Sequence, residues 1–167
     1  TAGIIAGGNP LTADTEAYDG TSWTEVNNLN TNRYNGVGFG LNSAGILATG
    51  YNPPTNVANV ESWNGTCWSE TADVNNARRG VAGGGTATSG LIAAGTSGLA
   101  YVETWNGTSW TETTDLSTPR TGGHGSVTDS TAAIVYGGYN PGPANTIASN
   151  ESWNGSSWTE VNDLNCL

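Results

Sequence analysis

A ten-residue pattern recurs four times in this chain, at residues 16–25, 61–70, 103–112 and 151–160. Each copy has a glutamate at both ends, an aromatic residue third, Asn-Gly or Asp-Gly next, and a tryptophan eighth. The copies are 42 to 48 residues apart, a spacing that is typical of four-stranded repeat units packed side by side. A unit this small cannot bury its apolar side chains alone. The sequence therefore predicts an all-β array of small antiparallel sheets.

Further positions recur at fixed distances from the second tryptophan of each copy. The repeated tryptophans are Trp23, Trp68, Trp110 and Trp158. An arginine follows the first three at the same distance, at Arg33, Arg78 and Arg120. We interpret both sets as structural residues, because they occur once per unit and not as a cluster.

Four strands, a to d, are predicted in each unit. Strand a is the glycine-rich segment after the arginine, and strand b is an apolar segment that ends in glycine. Strands c and d flank the Asn-Gly turn, whose asparagine we expect at positive φ. The first unit begins at strand b, so fifteen strands are expected in all.

The predicted register places the two aromatic residues opposite each other across strands c and d. Trp63 then faces Trp68, and Glu61 faces Glu70. Two facing carboxylates repel, so we expect the arginine of the repeat to reach between them and to tie these strands to the next unit.

These features resemble the kelch repeat, which has paired glycines after an apolar strand, then an aromatic residue, a tryptophan and an arginine. The resemblance covers nearly the whole chain, although the full Gly-Gly pair occurs only at residues 7–8 and 137–138. It implies a kelch-type β-propeller with about four blades, the first lacking its innermost strand. We predict one domain over residues 1–167, with units at 1–32, 33–77, 78–119 and 120–167. The lysine-free, Asn-, Thr- and Gly-rich composition is also similar to kelch-like arrays in phage tail fibres and bacterial adhesins.

The formal net charge of −10 and the shortness of the apolar runs argue against two classes of partner. Nucleic acid is disfavoured, because almost no basic side chain is present to displace its counterions. Membrane insertion is not expected either, since the apolar runs are far shorter than a bilayer span.

Catalytic groups are scarce. The single histidine, His124, lies in a predicted strand a and is expected to line a channel. The copper site of galactose oxidase, which also has a kelch-type propeller, needs two histidines. No repeat carries an acid, base and nucleophile that the others lack, so we expect no enzyme, no cofactor and no metal site. Cys67 and Cys166 are expected on opposite faces as free thiols.

The loops between strands b and c carry two similar corners, Tyr51-Asn52 and Tyr139-Asn140, each followed by proline. Tyrosine and asparagine suit sugar binding, although Asn-Pro also simply makes turns. The sequence thus favours a non-catalytic module that acts in self-assembly or adhesion, outside the cell or on a virus particle. The missing strand would be supplied by another copy or by a longer parent chain, or a four-bladed ring would retain one defective blade. A lectin-like module that binds glycans or a cell-surface receptor is the alternative.

Overall fold

The computed structural model describes residues 2–141 and 144–165. Within these ranges every regular element is a β-strand, and all of the strand pairs are antiparallel, so the all-β prediction is confirmed. No helix that could cross a bilayer is present in the described residues.

The strands form four main sheets, which follow one another along the chain. Sheet I has the order β1-β2-β3 and contains β1 (Gly3–Gly8), β2 (Thr12–Tyr18) and β3 (Trp23–Val26). Sheet II has the order β4-β5-β8-β9, and a separate hairpin pairs β6 with β7; the ranges are β4 (Val37–Leu41), β5 (Ala44–Ala48), β6 (Tyr51–Asn52), β7 (Thr55–Asn56), β8 (Val60–Trp63) and β9 (Trp68–Glu70).

Sheets III and IV repeat the pattern of sheet II. Sheet III consists of β10 (Ala82–Thr86), β11 (Ser89–Ala93), β12 (Val102–Trp105) and β13 (Trp110–Glu112). Sheet IV and its hairpin contain β14 (His124–Asp129), β15 (Ala132–Tyr136), β16 (Tyr139–Pro141), β17 (Ala144–Thr146), β18 (Asn150–Trp153) and β19 (Trp158–Val161), of which β16 pairs with β17. Each main sheet lies within one of the predicted units. The fifteen predicted strands are present, and the two loop hairpins were not anticipated.

The predicted register of strands c and d is confirmed in all four sheets. In sheet II, Trp63 lies opposite Trp68 and Glu61 lies opposite Glu70. The indole rings of this pair are 5.3 Å apart, and the other three aromatic pairs are 5.1 to 5.2 Å apart. Contacts of this kind stabilise antiparallel strands, so no ligand is needed to explain the tryptophan spacing.

The turn between the aromatic residues differs from the predicted geometry. Only its glycine has a positive φ, as at Gly107 with 95°, whereas Asn106 does not. The Asn106 side-chain oxygen accepts hydrogen bonds from the backbone N–H groups of Thr108 and Ser109, both at 2.9 Å. Asparagine is therefore used as an acceptor that closes a four-residue turn, and the expectation of a left-handed asparagine was wrong.

The core is divided among the junctions between consecutive sheets. The cluster between sheets I and II contains Leu29, Leu47, Trp63 and Trp68, with Ile4 packed against it. Sheets II and III share a cluster around Ile46, Trp105 and Trp110, and sheets III and IV share one around Leu91, Val135 and Trp153. Apolar burial thus joins neighbouring sheets and is the main force that holds the array together.

Candidate functional site

Three buried ion pairs recur along the array. Arg120 Nη2 lies 2.8 Å from Glu151 Oε1, and Arg33 and Arg78 pair in the same way with Glu61 and Glu103. All six side chains are at most 1% exposed. The predicted bridge is correct for the strand-c glutamate only, and its arginine belongs to the same unit as that glutamate, not to the next unit as expected. The strand-d glutamates, such as Glu70, are exposed and form no ion pair in the described residues, so water solvates them and their repulsion needs no arginine.

Each buried glutamate also binds the segment that enters its sheet. Glu61 Oε2 accepts hydrogen bonds from the backbone N–H of Asn30 at 2.7 Å and from its side-chain amide at 2.8 Å. Asn75 makes the same two bonds to Glu103, both at 2.7 Å. Because both carboxylate oxygens are bonded, burial of the charge is compensated.

The arginine backbone holds the preceding sheet. The N–H groups of Gly8, Gly50 and Gly95 donate to the carbonyl oxygens of Arg33, Arg78 and Arg120 at 3.0, 3.0 and 3.2 Å. Arg33 therefore bonds sheet I through its carbonyl and sheet II through its guanidinium group. We call this arrangement of arginine, glutamate and glycine the arginine latch.

Sheet I presents a face that corresponds to a buried face in the other sheets. By register, Ile5 is the counterpart of Leu47, and Trp23 is the counterpart of Trp68. Leu47 and Trp68 are each 8% exposed, whereas Ile5 is 53% and Trp23 48% exposed. Glu16, the counterpart of Glu61, is exposed and has no arginine partner in the described residues.

Sheet IV has an open face on its opposite side. Leu164 is 44% exposed, although its counterparts Leu29, Val74 and Leu116 are 4 to 5% exposed. Asn150 is 6% exposed, and its side-chain oxygen has no hydrogen-bond partner in the described residues. The two ends of the array thus expose the two halves of one inter-sheet junction.

A cavity of about 320 Å³ lies between β1 and β4. Its lining includes Ile4 and Ala6 from β1, Gly38 and Phe39 from β4, and Gly45 and Trp68. It occupies the side of β1 where sheets II, III and IV each have a further strand, so it is a direct result of the three-stranded form of sheet I.

The four repeated tryptophans have different environments. The indole N–H of Trp68 donates to Thr15 Oγ1 at 3.1 Å, and that of Trp158 donates to the carbonyl of Thr114 at 3.0 Å. Both acceptors belong to the preceding part of the array. Trp110 is 7% exposed and its indole N–H has no acceptor in the described residues. Trp68 and Trp158 thus bond to the preceding part of the array, whereas Trp23 is 48% exposed.

The two tyrosine-asparagine corners lie in separate hairpins, one beside sheet II and one beside sheet IV. Tyr51 contacts the ring of Tyr34 edge-on at 5.4 Å, and the guanidinium carbon of Arg79 lies 3.9 Å from the centre of the Tyr51 ring. Asn52 donates to the side chain of Asn32 at 3.3 Å. The Arg79 contact was not anticipated, because no repeat signal marks Arg79.

The second corner is more open. Tyr139 is 43% exposed, and its backbone pairs with that of Thr121. Asn140 is half-buried. Of the two corners, the Tyr139 corner leaves more of its aromatic ring accessible to a ligand.

The histidine and the cysteine that the structure describes have different surroundings. His124 is exposed, and its ring lies 6.2 Å from that of Tyr136. Cys67 is half-buried in the sheet II turn, 3.5 Å from the Asn64 amide nitrogen, and Cys166 lies outside the described residues. Among the residues described, no group of histidine, cysteine and acidic side chains could hold a metal ion.

Two exposed aspartates are held in their charged form by turns. The pKa of Asp19 is lowered by hydrogen bonds from the backbone N–H groups of Ser22 and Thr21. The pKa of Asp129 is lowered by the Thr131 hydroxyl and backbone N–H. Both carboxylates act as turn residues.

No family model and no curated protein matches the sequence. Solved structures do match in fold, among them the structure of YjhT, with a TM-score of 0.70 over 90% of this chain. The sequence identity to YjhT is 14%, and the chain spans 52% of the length of that structure. A likeness at this identity shows the fold alone, which is an array of antiparallel β-sheets.

Proposed function

We propose that this chain is a non-catalytic segment of a kelch-like β-propeller that acts through assembly, with the four sheets as its blades. The observation that carries the proposal is the pair of open faces at the two ends. Ile5 and Trp23 at one end and Leu164 at the other are exposed, whereas their counterparts inside the array are buried. Exposed apolar faces of this kind are typical of protein interaction sites.

The two end faces have complementary chemistry. Thr15 accepts the indole N–H of Trp68 at an internal junction, and Asn150 occupies the position of Thr15 in the repeat. The unpartnered Asn150 oxygen is therefore a suitable acceptor for Trp23 of a second copy. Asn165 likewise occupies the position of Asn30 and Asn75, the residues that bind Glu61 and Glu103, so it matches Glu16 of the second copy.

A contact between unlike faces is directional. Two copies that meet at both ends would close a ring of eight sheets, and copies that do not close would form a fibre. Such an assembly would suit a structural or adhesive component outside the cell or on a virus particle, as the composition indicates.

The mass in solution tests this proposal. We expect light scattering to give a multiple of the chain mass of 17.0 kDa, with rings or fibres in electron microscopy. Leu164→Asp should return the protein to a monomer, because it places a charge in the apolar junction. Leu11→Asp, at a 37% exposed leucine in a sheet I turn, is the matched control and should leave assembly unchanged. A monomer at all concentrations would contradict the proposal.

Glycan binding at the Tyr139 corner is the second candidate function. The exposed ring of Tyr139 favours it, since aromatic faces stack on sugars, whereas Arg79 already covers one face of Tyr51. A glycan array on the wild type and Tyr139→Ala checks it. Binding that is lost in the variant supports a lectin, and an array without signal counts against it.

A further inference from the structure

One edge of β1 is open. β1 pairs with β2 through residues Gly3–Gly8, and no strand covers its other edge in the described residues. In sheets II, III and IV the equivalent edge is covered by β4, β10 and β14. Sheet edges with free backbone N–H and C=O groups accept an added strand, because the new backbone hydrogen bonds provide binding energy.

The cavity beside this edge is the empty counterpart of a site that Phe39 fills one repeat later. Gly45 and Trp68 line the cavity, and by register their counterparts in sheet III are Gly90 and Trp110. The ring of Phe39 contacts Trp110 edge-on at 6.4 Å. A strand in the cavity would therefore bring an apolar or aromatic side chain to Trp68.

The two glycines show how the occupied and empty sites differ. A Cβ atom placed on Gly90 would lie 2.7 Å from the Phe39 ring and 2.9 Å from the Gly84 carbonyl oxygen, so both groups exclude a side chain there. A Cβ atom on Gly45 would meet backbone oxygens at 3.4 Å and no aromatic ring. The backbone around Gly45 thus retains room for a ring that residues 2–141 and 144–165 do not supply.

Glu16 indicates that a strand bound at this edge should carry a positive charge. Glu61, Glu103 and Glu151 each bind an arginine that precedes the inner strand of the same sheet, and Glu16 is the exposed fourth member of this set. In sheet II the arginine is Arg33 and the aromatic residue is Phe39, on the same segment. An incoming strand would satisfy Glu16 and the cavity together if it carried this pair at the same separation.

We propose that sheet I is an acceptor for an extended, glycine-containing strand from outside residues 1–167, with an arginine that binds Glu16 and an aromatic side chain that fills the cavity beside Trp68. The strand would run antiparallel to β1, as β4 runs antiparallel to β5. This proposal rests on the proposed function in that both place the contact on the open end of sheet I. It goes further by naming the side chains of the bound strand, an arginine and an aromatic residue. A second copy docked through its sheet IV does not supply such a strand.

A peptide with the sequence of residues 33–42 is the probe. We expect saturable binding to the full chain by calorimetry, with shifts of β1 and Trp68 signals in NMR spectra. The same peptide with Phe39→Ala or with Arg33→Ala should bind about tenfold more weakly, a change that corresponds to about 1.4 kcal/mol for each lost contact. A scrambled peptide is the negative control.

Protein variants locate the site independently. Gly45→Leu fills the cavity and should abolish binding of the peptide, and Glu16→Gln should weaken it to the level of the Arg33→Ala peptide. Circular dichroism and thermal unfolding of both variants check that they fold. If Gly45→Leu does not fold, Gly45→Ala is tested in its place, with the NMR shifts of β1 and Trp68 as the measure of peptide binding. The proposal would be overturned if the scrambled peptide bound as tightly as the native one, or if the native peptide did not bind at all. It would also be overturned if a folded, cavity-filled variant bound the native peptide as tightly as the wild type does.

The mass of the same samples separates this proposal from self-assembly. A monomer that binds the peptide supports the strand acceptor and contradicts assembly through the end faces. An oligomer that does not bind the peptide, even in the Leu164→Asp form, contradicts the strand acceptor and leaves assembly intact.

Discussion

Arg78 and Glu103 form an ion pair from which solvent is completely excluded, since both side chains have 0% exposure. The pair lies at the junction of two sheets, because the Arg78 carbonyl also accepts the N–H of Gly50. A single residue thus connects sheets II and III through its backbone and its side chain. Loss of either partner would leave a buried charge without compensation.

We predict that Arg78→Ala lowers the free energy of unfolding by about 3–5 kcal/mol, the range for a broken buried ion pair. Arg79→Ala removes only the contact with the Tyr51 ring and should cost about 0.5–1 kcal/mol. Urea unfolding with linear extrapolation measures both. Equal costs for these neighbouring arginines would show that the latch does not stabilise the array.

The glutamates provide a second matched pair. Glu103→Gln leaves Arg78 buried without a counter-charge and should destabilise the fold by about 3 kcal/mol or more. Glu16→Gln changes an exposed carboxylate at the equivalent position and should stay within about 0.5 kcal/mol. The midpoints of urea unfolding at equal protein concentration are the readout. A large loss in Glu16→Gln would mean that Glu16 already has a buried partner in solution.

Thr49 offers a stabilising substitution. Its φ of 62° lies in the left-handed region, where β-branched residues are strained, and its buried hydroxyl has no partner in the described residues. Thr49→Gly should therefore raise stability by about 1–2 kcal/mol. Ala94, at φ 67°, gives the comparison. Both substitutions remove buried methyl carbon, but Ala94 has neither a β-branched side chain nor a buried hydroxyl whose cost is relieved, so Ala94→Gly should gain less. Thermal unfolding distinguishes the two, and a destabilised Thr49→Gly would contradict the strain.

Gly90 and Gly45 test whether the Phe39 site is filled in one sheet and empty in the other. Gly90→Ala forces a methyl group against the Phe39 ring and should cost about 1–3 kcal/mol. Gly45→Ala meets ordinary contacts and should change stability by less than about 0.5 kcal/mol. A comparison of their unfolding free energies is sufficient. Similar losses at both positions would show that something already occupies the space beside Trp68.

The Asp19 turn predicts a pH dependence. Hydrogen bonds from Ser22 and Thr21 lower the pKa of the Asp19 carboxyl in the folded state below its ordinary value of 3.8. At pH values above 3.8 the charged carboxylate therefore stabilises the fold. This contribution is lost as the pH falls through the lowered pKa. Asp19→Asn introduces the asparagine that the other three turns carry at this position. This variant should not show the loss of stability at low pH, because its side chain does not titrate. NMR titration of the Asp19 carboxyl and unfolding of both proteins from pH 7 to pH 2 check this; a pKa at or above 3.8 would contradict it.

The repeat pattern was sufficient to predict the all-β fold, the strand order of each sheet and the pairing of Trp63 with Trp68. These features depend on local turns and on the two-residue period of strands, both of which can be recognised in the sequence. The single glutamate partner of Arg33 was not predictable, because the burial of Glu61 and the exposure of Glu70 depend on the neighbouring sheet. The Arg79 contact with Tyr51 and the hairpins β6–β7 and β16–β17 depend on loop conformations that do not repeat.

The candidate site was predicted in part. The absence of a strand a from the first unit was visible in the alignment of the repeats, but the cavity beside Trp68 required the positions of Gly38 and Gly45 in space. The binding roles of Tyr51, Asn52, Tyr139 and Asn140, and the location outside the cell or on a virus particle, stay predictions.

The arginine latch also determines where such an array can be divided and recombined. Asn30 and Arg33 follow sheet I in the chain, but both bind Glu61 of sheet II, so a cut between residues 29 and 30 keeps every latch side chain with its partner. A cut after Arg33 would separate the two charges onto different fragments. Exchange of modules between related arrays should therefore succeed at residues 29, 74 and 116, directly after the buried apolar position, and fail a few residues later.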